Sequence, residues 1–99
     1  MATAQDPLEQ AIDRAESRAA AARERAALAG LSAARSFEES ARQHERVAQV
    51  QDVTVAQGVS DTEEHRKSAS RHRQAAAEDR ALAQLKRKES EADLSLDID

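Results

Sequence analysis

Three histidines and one aspartate carry the spacing in this 99-residue chain that most invites a chemical reading. His65 and His72 stand seven residues apart, two turns along one face of a helix. Asp79 follows two turns beyond His72. If the chain folds back on itself near Gly58, residues whose numbers add to about 116 lie opposite one another. His44 then faces His72, and Gln51 faces His65. Imidazoles gathered at a helix interface, with a carboxylate beside them, are ligands that a transition metal accepts. The Glu-x-x-His pairs of di-iron bundles are absent, because Ala41, Thr62 and Ala69 stand three residues before the histidines. His-Glu-x-x-His is absent too. The plainer reading makes His44, His65 and His72 polar residues of a helix interface, paired with Gln, Asp or water. A third makes them a pH-sensitive contact, loosened when facing rings both gain a proton. No metal and no cofactor is assigned.

The elements that must position these residues are helices. Thirty-nine residues are hydrophobic, but most of them are alanines, with a single Phe, no Tyr, no Trp and no Cys. Disulfides, thiolate metal sites and cysteine nucleophiles are excluded. Two glycines and one proline are too few for the turns of a sandwich or barrel. Ala, Arg, Glu, Gln, Leu and Lys, the strongest helix formers, dominate.

Asp6-Pro7-Leu8-Glu9 reads as a helix start, with Asp as N-cap, Pro at the first helical position and Glu at the third. Apolar positions then step by four and three through Leu8, Ile12, Ala15, Ala19, Ala22, Ala26, Ala29 and Ala33. This is a heptad seam of small residues, which lets helices approach closely but buries little area per contact. Beyond Ala33 it drifts through Phe37, Ala41, His44 and Ala48. Gly58 takes the left-handed position that ends the first helix, and Ser60-Asp61-Thr62-Glu63 reads as a capping box opening the second.

The fold expected is all-α: a long antiparallel hairpin, coiled-coil-like, with an Ala-rich seam. One helix spans about 7–57 and another about 61–90, within a single domain over 1–90. Gly30 leaves two courses open, a continuous first helix or a break giving a three-helix bundle. Across the hairpin, Leu31 is expected opposite Leu85, Ala34 opposite Leu82 and Ala41 opposite Ala75. Residues 91–99 read as a flexible acidic tail, in which Leu94, Leu96 and Ile98 alternate with polar residues as a strand added to a partner's sheet would.

The functional expectation is a non-enzymatic interaction module, structural or regulatory, that self-associates through its first helix. Ala15, Ala19, Ala22, Ala26 and Ala29 are the candidate contacts, with His44, His72, Leu94, Leu96 and Ile98 as further candidates. Its partner would be a second copy or another helical protein. The alternative is a nucleic-acid-associated protein using the basic face of the second helix. Residues 60–88 hold Arg66, Lys67, Arg71, Arg73, Arg80, Lys86, Arg87 and Lys88 in a chain of net charge −4. No aromatic side chain lies there to stack a base, so nucleic acid is not the partner expected. No small-molecule substrate and no membrane are expected either. The absence of a basic patch followed by an apolar core at the N-terminus points to the cytoplasm. The Ala and Arg bias points to a bacterial, GC-rich source.

Overall fold

The computed structural model describes residues 6–58 and 60–96, and these form two helices. Helix α1 spans Pro7–Ala56 and helix α2 spans Thr62–Ser95. They pack antiparallel as an extended hairpin, 86 by 19 by 15 Å. The Asp6 side chain accepts the Leu8 amide at 2.7 Å, and Pro7 occupies the first turn, where its missing N–H is not needed.

The turn differs from the expected capping box. Gly58 takes φ +67°, a region open to a residue without a Cβ. The N-cap of α2 is Asp61, itself left-handed at φ 64°, and its side chain makes no cap hydrogen bond. Asp tolerates this conformation better than most residues. The α2 ladder begins with the His65 amide donating to the Asp61 carbonyl at 3.0 Å.

Gly30 does not break α1, so the three-helix alternative is excluded. Its role is to admit α2. A Cβ at Gly30 would run into the Ser90 hydroxyl.

The buried residues are Ala27, Ala34, Ala41 and Ala48 on α1, and Ala69, Ala76, Ala83 and Ser90 on α2. Each set repeats every seven residues. Their numbers add to 117 in pairs: Ala27 with Ser90, Ala34 with Ala83, Ala41 with Ala76, Ala48 with Ala69. No large side chain is fully buried among the described residues. The hairpin is therefore zipped by methyl groups, and many close contacts replace a few large ones.

Ala15, Ala19, Ala22, Ala26 and Ala29, the expected contacts for a second chain, are exposed, and the face of α1 turned to α2 is one residue further round. The expected packing is corrected at the leucines. Leu82 and Leu85 are 41% and 50% exposed, so the leucines expected to form a core flank it instead.

The register fixes an overhang. Ser95, the last residue of α2, falls level with Ala22, so α1 residues 7–21 run on alone for about 22 Å. At the other end of α2, helix continues five residues past the boundary expected at 90. Residues 91–95 are helical and Leu94 is half-buried, while Leu96 is exposed. Ile98 lies outside the described residues.

Candidate functional site

On either side of the methyl seam a row of side chains crosses between the helices, and the two rows differ in chemistry. One is ionic. Glu38, Glu45 and Asp52, seven apart on α1, meet Arg87, Arg80 and Arg73, seven apart on α2. Arg87 Nε donates to Glu38 at 2.9 Å, and Arg80 reaches Glu45 at 2.7 Å. The Arg80 hydrogen bond holds the Glu45 carboxyl below its ordinary range, and the arginine is raised in turn. On the outer surface of α1, Arg42 does the same to Glu39.

The other row holds the histidines. His44 and His72 meet Nδ1 to Nδ1 at 2.8 Å, with ring centroids 5.0 Å apart. Both are half-buried. One ring must donate from Nδ1 and the other accept, so a single proton bridges the pair. His65 Nδ1 contacts Gln51 Oε1 one heptad nearer the turn. Both pairings agree with the register read from the sequence. Asp79 Oδ2 lies 3.9 Å from His44 Nε2 and is buried without a hydrogen-bond partner.

This geometry does not assemble a metal site. His72 approaches the Nδ1 edge of His44, while Asp79 approaches the opposite Nε2 edge, so the donors share no common focus. Among the described residues, no group of three or more His, Cys, Asp or Glu side chains converges as metal ligands. The hydrogen bond in this row joins His44 to His72, and Asp79 stands beyond hydrogen-bond reach of His44. One shallow concavity of about 540 Å³ is lined by Arg46, Gln49, Val50, Val53 and Thr54 of α1 with Gln57, the residue that follows it, nearer the turn.

The basic residues of α2 are largely engaged. Besides the three arginines of the ladder, Arg66 pairs with Glu63, Lys67 with Glu64 and Lys86 with Glu89.

A different surface remains uncovered. Ala15, Ala19, Ala22, Ala26 and Ala29 lie on α1 averted from α2, in line with Leu8 and Ile12, which are 68% and 48% exposed. The structure thus separates the sequence-derived candidates. His44 and His72 join each other inside the hairpin, whereas the alanines line an open face. The ion-pair ladder escaped the sequence reading, although its signal was present: acids seven apart on one helix and arginines seven apart on the other.

No protein-family model, no curated protein and no solved structure matches this chain. No described helix is long and apolar enough to cross a membrane.

Proposed function

We propose that this chain is a non-enzymatic interaction module that associates with a second copy of itself through the outward face of α1. The observation that carries the proposal is the open stripe of Leu8, Ile12, Ala15, Ala19, Ala22, Ala26 and Ala29, much of it on a segment that outruns α2. An isolated helix of about 15 residues is marginal in water, and a second helix laid along it removes that weakness. The hairpin's own seam supports the same reading, since alanines spaced by seven already hold α1 against α2.

The nucleic-acid alternative is the weaker reading. Six of the eight basic residues on α2 are engaged with nearby carboxylates, which leaves Arg71 and Lys88 as its unpaired cations.

Light scattering across a concentration series tests self-association. The expected mass is twice 10.8 kDa. Ala19→Glu with Ala22→Glu, which leaves the buried seam untouched, returns the mass to that of one chain. A native chain that stays monomeric throughout overturns the proposal.

A further inference from the structure

The open stripe continues far beyond the overhang. Two interleaved heptad rows run the length of α1 on the face averted from α2. One row is Leu8, Ala15, Ala22, Ala29, Ser36, Gln43 and Val50. The other is Ile12, Ala19, Ala26, Ala33, Ser40, Val47 and Thr54. Fifteen of the 50 residues of α1 are charged, and none of them falls on these 14 positions. None of the 14 is buried by the chain itself, and Val50 is 65% exposed. At 3.6 residues per turn the centre of this face lies roughly 130° round the helix from the methyl seam, and α2 borders it only on the side where Ala33, Ser40 and Thr54 are half-buried.

The two rows are complementary to each other in reverse. Numbers adding to 62 pair every member of one with a member of the other: Leu8 with Thr54, Val50 with Ile12, Ala15 with Val47, Ala22 with Ser40, Ala29 with Ala33. The larger apolar side chains gather at the two ends, and small ones fill the middle. An antiparallel two-stranded seam has this property, with layers built from opposite heptad positions.

Resting on the self-association proposed above, we infer that the second copy lies antiparallel along the whole of α1, with the two-fold axis passing near Leu31. Each overhang then packs on the part of the other copy's α1 that is backed by α2, and no segment of α1 is left alone. A parallel pairing would instead leave the two overhangs supported by each other alone. Flanking charges agree with the antiparallel order. Arg25 falls near Glu39 of the second copy. Arg18 falls near Arg46 of the second copy, a cation already screened by its own Glu39 at 3.5 Å. Ala11 meets the exposed Val53. The contact is a strip about 70 Å long and about 10 Å wide, burying on the order of 1,400 Å² over both copies, within the range of stable specific interfaces.

The chain has no cysteine, so introduced thiols report without interference. Ala15→Cys and Val47→Cys variants, each checked for native helix content, are mixed, heated and cooled together, then oxidised under mild conditions. A disulfide forms where the Cα atoms come within about 7 Å. The expected product is the mixed disulfide, well above its statistical half, with both homodisulfides nearly lost. A predominant Ala15→Cys homodisulfide shows a parallel pair, which overturns this arrangement and leaves self-association standing. A dimeric mass with neither disulfide also overturns the arrangement alone. A monomeric mass removes self-association itself, and this inference with it.

Discussion

Gly30 and Ser90 form one end layer of the methyl seam, and each residue type there depends on the other. Ser90 is 3% exposed, and its hydroxyl occupies the space that a side chain on Gly30 would need. In a helix interior, Gly costs about 1 kcal/mol relative to Ala, so Gly30→Ala should gain that much if space allowed.

The first prediction therefore concerns a pair. Gly30→Ala alone gains little or loses stability in thermal or urea unfolding, because the new methyl meets the Ser90 hydroxyl. In the Ser90→Ala background the same change gains about 1 kcal/mol. Equal effects in both backgrounds would show that Ser90 does not set the residue at position 30.

Acid acts on the ionic row. Glu45 is held below its ordinary 4.5 by the hydrogen bond from Arg80, and Glu39 is held below it by Arg42. A carboxylate depressed on folding contributes stability that is present above the unfolded value and lost as pH falls through the folded one. Unfolding curves should show the chain weakening below about pH 4.5. Glu45→Gln should flatten that limb without changing the neutral-pH shape. Both carboxylates are nearly half exposed, so added salt should blunt the effect. An acid limb unchanged in Glu45→Gln would place its origin elsewhere.

The histidine row is tested by a double-mutant cycle. His44→Ala and His72→Ala should each destabilise the hairpin at pH 8, and the double variant should cost less than their sum by about 1 kcal/mol, the net worth of one hydrogen bond. Strict additivity at pH 8 would mean that the two rings do not bond.

Much of the hairpin was legible from local chemistry. The Asp6-Pro7 start, the left-handed Gly58 and the facing of His44 with His72 and Gln51 with His65 all follow from residue types and one fold-back number. The face of α1 that meets α2 was harder to read. Alanine is frequent enough between residues 19 and 34 to mark several faces at once, and it carries no polarity difference to rank them. The decisive signal is paired: a run spaced by seven at Ala27, Ala34, Ala41 and Ala48, answered by Ala69, Ala76 and Ala83. The leucines misled because bulk suggests burial. A helix pair closed on methyl groups has no room between its axes for Leu82 or Leu85 and turns them outward. Ser60-Asp61-Thr62-Glu63 misled as a cap because the tight turn puts Asp61 in a left-handed conformation.

The seam and the charge ladder share one period, and that leaves the pairing degenerate. Move α2 along α1 by one heptad, about 10 Å, and small residues still meet small residues while arginines still meet acids: Glu45 would find Arg73 or Arg87 as readily as Arg80. Two such strips, like rulers marked with identical ticks, carry no internal record of where to start. What singles out one alignment is the short connection from Gln57 to Asp61, together with the Gly30 and Ser90 layer at the far end. The few residues at the tip thus do a job that a core of varied side chains does in other hairpins. Cut there, the two halves would have only the Gly30 and Ser90 layer and the histidine contacts to mark one alignment against its zipped, charge-paired neighbours.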